Sequence, residues 1–506
     1  MYSVLEYLED SVKRFPDKIA FADPEEEISF SELMRRAKRI GTALARALPP
    51  GSPVPVHLPK SVQAVTVFLG ALYAGCFYVF LDRKQPAARL KSILETLDAA
   101  VLVTDESGAE AVKSFFDGTI LDLNELLLAE ADEALLGDIR RERIDTEVLY
   151  VNFTSGSTGV PKGVAVSHRS VIDFMECFVP IFGISSEDVI GNQAPLDFDV
   201  SVKDIYSTLK SGATMVIIPQ HYFSVPMQLL DYLADRGVTT LIWAVSALTL
   251  LVRLHGFEYR IPEKVVRVIF SGEVMPVKYL NEWRAALPEA AFYNVYGPTE
   301  ITCNCTWYQI EHDFTPEESI PIGKPFPNEK VFLLDEENRL IDSPGPVGEI
   351  CVGGTALSLG YYRNPEATAA AFVQNPLNDC YPETIYRTGD LGAYLPDGNL
   401  VYIGRKDFQI KHMGHRIELL EIEKALNAVP EVSAACCLYR KEKITAVYAG
   451  PLTKKELVPR LKACIPDYMV PQVFLQLEEL PLSKNGKIDR QAVLTAAEAA
   501  DKRRSK

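Results

Sequence analysis

Short β-rich apolar runs alternate with helix-length amphipathic segments through the first four hundred residues, and this rhythm constrains the fold more than any other feature of the chain. AAVLVTD (99–105) leads into a helical stretch at 105–115, LYVNFTSGS (149–157) is followed by HRSVIDFMECF (168–178), and TMVIIP (214–219) by MQLLDYLADRG (227–237). TTLIWAV (239–245) precedes ALTLLVRL (247–254), and RVIFSGE (267–273) precedes VKYLNEWRAAL (277–287) and AFYNVYG (291–297). Strands separated by helices in this way predict parallel sheets with helices packed on their faces. From about 330 to 405 the pattern changes to short strands and turns, a smaller β-rich subregion. Past Arg405 the alternation resumes on a smaller scale. The chain therefore reads as α/β: a large N-terminal domain of parallel-rich sheets covered by helices, with a small β-rich subregion, then a smaller α+β C-terminal domain.

Charge sharpens the boundary. The 506 residues carry a formal net charge of −16, which argues against general nucleic-acid binding, where Lys and Arg must neutralise phosphates. Residues 408–506 hold 17 Lys and Arg against 12 Asp and Glu, a net of about +5, and leave about −21 for residues 1–407. Nine cysteines without a CxxC pair predict reduced thiols in a cytoplasmic protein rather than a disulfide scaffold or zinc site. The N-terminal MYSVLEYLEDSVKRF has acidic residues where a signal peptide needs an apolar stretch. One stretch imitates a membrane span: Ser61 to Leu81 is uncharged. Ser61, Gln63 and Thr66 interrupt it and Gly70 and Gly75 divide it, so the segment predicts a buried helix over about 61–73 and a core strand, CFYVFLD, with no membrane insertion.

The densest chemical signal is Thr154-Ser155-Gly156-Ser157-Thr158-Gly159-Val160-Pro161-Lys162-Gly163, read as a loop after the strand LYVNF and before a helix. Small residues let backbone approach a ligand, successive N–H groups and hydroxyls can wrap phosphate oxygens, and Lys162 adds a cation. A Walker A loop would need Gly at Pro161 and Ser or Thr at Gly163. Gly156 to Gly159 are contiguous, which excludes a G-x-S-x-G nucleophile elbow.

TSGSTGVPKG resembles the phosphate loop of the adenylate-forming superfamily, which holds acyl-CoA synthetases, luciferases and the adenylation domains of nonribosomal peptide synthetases. Other motifs of that superfamily follow in order: Ser271-Gly272-Glu273, Asn294-Val295-Tyr296-Gly297-Pro298-Thr299-Glu300, the stretch 348–368, Tyr386-Arg387-Thr388-Gly389-Asp390, GRKDFQIKHMGHRIELLEIE at 404–423, PDYMVP at 466–471 and Asn485-Gly486-Lys487-Ile488-Asp489. The resemblance implies two half-reactions: a carboxylate attacks the α-phosphorus of ATP and expels pyrophosphate, then a thiol attacks the acyl-adenylate. It implies an adenylation core at 1–404, a hinge at 405–407 centred on Asp407, and a mobile domain at 408–506. The phosphate loop (Thr154, Ser155, Gly156, Ser157, Thr158, Gly159, Lys162) is expected to hold the β- and γ-phosphates, and Glu300 to ligate Mg²⁺. Tyr296 is expected against adenine, with Gly272, Glu273, Asn294, Val295, Gly297 and Pro298 around it, and Thr299 at the α-phosphate. Asp390 is expected at the ribose hydroxyls with Tyr402 and Arg405 near, and Lys487 as the catalytic cation bridging substrate carboxylate and nucleotide. His412 and His415, at metal-ligand spacing but beside Lys411 and Arg416, read as surface histidines.

The same resemblance gives Asp199 as partner of a substrate ammonium and places Val200, Lys203, Ile242, Ile269, Ser271, Val295, Cys303 and Asn304 around the substrate side chain. Within the superfamily the wording is nearest to the D-alanine:D-alanyl carrier protein ligases of teichoic acid modification. In those a Cys stands where this chain has Ser271 and a Met where it has Lys203. A small amino acid, D-alanine first, is the expected substrate, although Lys203, if it points inward, would invite a polar or acidic side chain. The expected acceptor is the phosphopantetheine thiol of a separate, acidic carrier protein, met by the basic C-terminal piece of a monomer. The alternatives are adenylation of another amino acid for a nonribosomal-peptide-type pathway, an acyl-CoA synthetase for a small carboxylic acid, and a catalytically silent nucleotide-binding protein.

Overall fold

The computed structural model describes residues 1–156, 161–315, 318–481 and 488–504. It is a mixed α/β structure with a large N-terminal domain and a smaller C-terminal one. Among the described residues, a nine-stranded sheet and a six-stranded sheet form the body. In the first, Ala291–Tyr296, Arg267–Ser271, Thr240–Ala244, Val189–Asn192, Thr214–Ile217 and Ile19–Ala22 run parallel, and antiparallel strands close both edges. In the second, Thr119–Asp122, Val101–Thr104, Pro53–His57, Phe77–Phe80 and Val148–Thr154 are parallel. Strands such as Phe77–Phe80, Val101–Thr104 and Thr240–Ala244 are buried along their whole length, because helices cover both faces of a parallel sheet and polar alternation would strand side chains in the core.

The uncharged stretch near residue 70 forms the helix Val62–Tyr73, capped by Ser61 and buried at every position except Gln63, followed by the strand Phe77–Phe80. Among the described residues no helix is long and apolar enough to cross a membrane. The helix Val62–Tyr73 crosses the helix Phe30–Ala47 closely: a Cβ on Gly70 would lie 2.5 Å from Ile40 Cγ2, and one on Gly41 would lie 2.7 Å from Tyr73 Cβ. Gly70→Ala is therefore expected to lower stability by about 2 kcal/mol through overpacking, measured as a shift in the denaturation midpoint at unchanged m-value.

The phosphate-loop segment departs from the expected strand-then-helix arrangement. Lys162–Ser167 is itself a strand, paired antiparallel with Val148–Thr154, and the helix His168–Ile181 starts only after it. The apolar run Gly163–Val166 has a whole strand edge to bury against, so the described ends of the loop, Thr154 and Lys162, pair across two antiparallel strands. The β-rich subregion is a six-stranded antiparallel sheet built on Glu329–Leu334, Val347–Gly354, Thr384–Tyr394 and Leu400–Arg405.

The C-terminal part has its own core beneath the sheet Ala434–Arg440, Lys443–Ala449 and Val473–Leu477. Ahead of that sheet, Gln409–His412 and His415–Glu418 form a hairpin whose two-residue turn, Met413-Gly414, has positive φ at both positions, the geometry that matches strand twist. The hairpin folds inward against the N-terminal domain. His412 is buried, and the His415 ring stacks on Tyr468 at 3.6 Å and meets the Phe198 edge at 4.6 Å. The expectation of surface histidines is thus overturned. Burial pushes the His415 imidazole down to about 3, so it is neutral and packs as an aromatic.

Candidate active site

The carboxyl ends of Thr240–Ala244, Arg267–Ser271 and Ala291–Tyr296 open on a cleft of about 850 Å³, the place where parallel sheets offer ligands their loops. Gly272, Glu273, Asn294, Val295, Tyr296, Tyr402 and Arg405 line its N-terminal-domain side, and Lys411 and His412 face them. Tyr296 is pinned: its hydroxyl donates to Asp390 Oδ2 at 2.5 Å, and Arg405 Nη1 donates to Asp390 Oδ1 at 2.6 Å. Arg405 also donates to both oxygens of Asp407, at 2.7 and 2.8 Å, which ties Asp407 to the cleft wall. Tyr402 lies 6.5 Å from Tyr296, and the Lys411 ammonium sits 5.3 Å over the Tyr296 ring. Asn294 donates to the Pro321 carbonyl at 2.8 Å. The residues expected around adenine and ribose are therefore brought together.

A second cluster gathers around Glu300, the residue expected to ligate Mg²⁺. Glu300 is 1% exposed, and each of its carboxylate oxygens is engaged: Tyr361 donates to Oε1 at 2.7 Å and Arg416 Nη1 to Oε2 at 2.6 Å. Burial works against its charge, but Arg416 and Tyr361 outweigh that and hold the carboxyl below its ordinary range. Lys162 lies 5.0 Å over the Tyr361 ring, so one tyrosine joins the loop's cation to the acidic residue. Thr154 donates to the Lys162 carbonyl at 3.4 Å across the hairpin. Ser155 Oγ donates to the Arg416 carbonyl at 2.8 Å and accepts from the Glu418 N–H at 3.1 Å, so it too is engaged by the 409–418 hairpin. An ionised carboxylate beside a phosphate loop suits a hard dication by its chemistry. With Arg416 in place, each Glu300 oxygen already accepts a hydrogen bond, so a dication there would share the carboxylate with Arg416 and Tyr361 or displace them.

Gly297 lets the next segment fold back: a Cβ there would lie 2.5 Å from Asn304 Cα, and Thr302 and Cys303 both take positive φ to complete the turn. That turn buries Cys303 and Asn304 and brings Asn304 to Lys203. Asp199 stands at the N-terminus of the helix Val200–Ser211. Burial pushes its carboxyl up, against the Thr299 hydroxyl and the Lys203 ammonium, which favour its charge. Lys203 is fully buried and donates to Asn304 Oδ1 at 2.9 Å and Ser271 Oγ at 3.3 Å. Ile242, Ile269 and Val295 are buried on neighbouring strands, while Val200 is half-buried. Lys203 thus points inward.

Ser157, Thr158, Gly159 and Lys487 lie outside the described residues. Two residues given no role on sequence grounds, Tyr361 and Arg416, complete the Glu300 site. Both fall inside motifs quoted above, at 348–368 and 404–423, which was the available signal. All nine cysteines are free thiols, and those at 303, 305, 436 and 437 are buried.

Two parallel-rich sheets covered by helices, with a cleft at the carboxyl ends of the strands, place the chain among α/β proteins that bind ligands at their strand ends. The chain belongs to the AMP-binding enzyme family, which it matches over residues 8–362, and so to the adenylate-forming superfamily. It is 31% identical over 503 residues to tyrocidine synthase 1 of Brevibacillus parabrevis, covering 97% of this chain and 45% of that one. It is 31% identical over 501 residues to zwittermicin A synthase ZmaJ of Bacillus cereus, covering 96% and 93%. The chain thus spans less than half of the first relative and nearly all of the second. Its fold is that of holo-PA1221, an NRPS protein containing adenylation and PCP domains, with a TM-score of 0.83 at 24% identity over 98% of this chain and 84% of that one.

Proposed function

We propose that this chain activates an amino acid as its adenylate and passes the aminoacyl group to the phosphopantetheine thiol of a carrier protein. The observation that carries the reading is Asp199: a largely desolvated carboxylate at the start of the helix Val200–Ser211, beside Thr299 and its neighbour Glu300, is where a substrate ammonium would be held while its carboxylate faces the nucleotide. The relatives support it, since they are synthases of tyrocidine and zwittermicin A, and a structural neighbour joins an adenylation domain to a carrier domain.

In the first half-reaction a substrate carboxylate oxygen forms a bond to the α-phosphorus and the bond to the bridging oxygen breaks, releasing pyrophosphate. The site's task is positioning and charge stabilisation, not proton transfer. Tyr296 offers adenine a ring face, Asp390 and Arg405 offer the ribose an acceptor and a donor, and the 154–163 loop with Lys162 cradles the phosphates. Lys487 would bridge the substrate carboxylate and the nucleotide from the mobile domain that begins after a hinge at Asp407. Magnesium held by Glu300 would neutralise charge on the leaving pyrophosphate. In the second half-reaction the carrier's sulfur bonds to the acyl carbon, its proton leaves to solvent, and AMP departs.

Lys203 favours a substrate whose side chain ends in an acidic or hydrogen-bond-accepting group, because a buried ammonium held by one amide and one hydroxyl still gains from an anion. The small Ser271 side chain favours a second reading, a small substrate with D-alanine first. Amino-acid-dependent ATP–pyrophosphate exchange across D- and L-amino acids decides: aspartate- or glutamate-like substrates winning supports the first, D-alanine the second. Exchange with none of them but with a simple carboxylic acid, or full turnover with coenzyme A alone, would establish an acyl-CoA synthetase instead. Lys203→Met is expected to lower kcat/KM for an acidic substrate by about tenfold to a hundredfold relative to alanine, in the same assay.

A further inference from the structure

A cation from one sheet holds the strand ends of the other. Lys60 lies between the strand Pro53–His57, of the parallel six-stranded sheet, and the helix Val62–Tyr73, and its ammonium reaches across to the nine-stranded sheet. There it donates to the carbonyls of Asn192, Gln193 and Ile218 at 3.2, 3.0 and 3.4 Å. Asn192 ends the strand Val189–Asn192, and Ile218 follows the strand Thr214–Ile217 paired with it. From the same point the fully buried Asn192 side chain donates at 2.5 Å to Asp204 Oδ2, on the helix Val200–Ser211. Six residues, Gln193 to Phe198, link this anchor to Asp199. The link is thus closed at its base, by Lys60 on the strand side and by Asp204 on the helix side.

As a source of cohesion alone, Lys60 is a poor choice. Burial pushes its ammonium down to about 7, with Asp204 favouring the charge and Lys84 opposing it, and desolvation consumes most of what a buried ion gains. What the ammonium does supply is geometry: it has three N–H donors, and three backbone carbonyls take them. Asp199 needs such geometry. Its side chain takes no hydrogen bond from the helix it heads, so the main chain leading into it, with Thr299, sets where the carboxylate stands.

We propose that Lys60 is a positioning residue for the amino-acid site: by fixing the carbonyls at the start of the 193–198 link, it holds the Asp199 carboxylate where a substrate ammonium meets it. Lys60 is not among the residues lining the cleft, so it acts through Asp199 and not on a ligand. The inference rests on the reading of Asp199 as the ammonium's partner, and adds to it a residue that comes from the other sheet and lies outside every superfamily motif quoted above.

The test is a double-mutant cycle in ATP–pyrophosphate exchange on the full chain, with D- and L-amino acids as probes and the best of them carried through the cycle. Lys60→Met is expected to raise the amino-acid KM about tenfold and lower kcat/KM in step, the scale on which a small misplacement is felt, and to leave the KM for ATP within about twofold. In an Asp199→Ala background the same substitution should change kcat/KM for the amino acid by less than about twofold, because the carboxylate it positions is gone. Lys60→Arg keeps the charge and the donors and should recover most of the loss. A residue that only supports the fold would raise both Michaelis constants together and act equally in both backgrounds. Should Lys60→Met fail to fold, Lys60→Gln enters the same cycle with the same outcomes. An amino-acid KM left unchanged, or a loss carried in full into Asp199→Ala, overturns the inference while leaving adenylation standing. Exchange by the unaltered protein with none of the amino acids overturns the adenylation reading and the inference with it.

Discussion

Asp199→Ala raises the KM for the amino acid by about a hundredfold and leaves that for ATP within about twofold, the factor corresponding to about 3 kcal/mol for a partly buried ammonium left without its carboxylate. The split follows from position. Asp199 heads the helix Val200–Ser211 and meets Thr299 and Lys203, whereas the residues expected at adenine and ribose form a separate network of Tyr296, Asp390, Arg405 and Asp407. Removal of the Asp199 charge also takes away one of the two carboxyls, with Asp204, that offset Lys203, which adds to the loss. Asp199→Asn keeps an acceptor for Thr299 and separates the two contributions: its KM should rise nearly as far, because the charge and not the hydrogen bond is what the ammonium needs. Steady-state pyrophosphate exchange with each substrate varied in turn measures both constants. A parallel rise in both, or in neither, would remove Asp199 from the amino-acid site.

The body of the fold was legible because its signal is local. Apolar runs such as 239–245 and 267–273 became strands almost where they were expected, since a parallel strand buried on both faces must be apolar throughout. The topology around the 154–163 segment was not legible: strand-then-helix is the usual setting of such loops, and the six-residue run Lys162–Ser167 fits a strand or the lead-in to a helix equally well until its partner strand is known. Lys203 could not be oriented from sequence because the helix Val200–Ser211 is buried nearly all round, so amphipathicity carries no direction there. The histidines at 412 and 415 failed for a longer-range reason. Lys411 and Arg416 beside them suggested a solvated face, but those charges are met by Tyr296 and Glu300, more than a hundred residues earlier in the chain, and no local periodicity encodes that. The same distance hid the role of Arg416.

Glu300→Gln separates the two uses of one carboxylate. Glutamine keeps the shape and an acceptor for the Tyr361 hydroxyl but removes the charge. Adenylate formation is expected to slow by about a thousandfold, the scale on which loss of a preorganised charge contact raises a barrier in a water-poor site, and the Mg²⁺ concentration needed for half-maximal rate should rise with it. The second half-reaction, started from preformed aminoacyl-adenylate and carrier, needs no metal, but a seated hairpin would now press Arg416 against a neutral amide. A buried guanidinium deprived of its partner costs about 3 kcal/mol, so seating weakens and thioester formation slows by up to about a hundredfold. Lys487→Ala makes the contrast: in the role proposed for it, at the substrate carboxylate and nucleotide in the first step alone, its loss should abolish adenylation and largely spare thioester formation. Single-turnover measurements of the two steps in both variants give four rates. Glu300→Gln sparing the second step as fully as Lys487→Ala does would show that Arg416 gains nothing from Glu300 once pyrophosphate has gone.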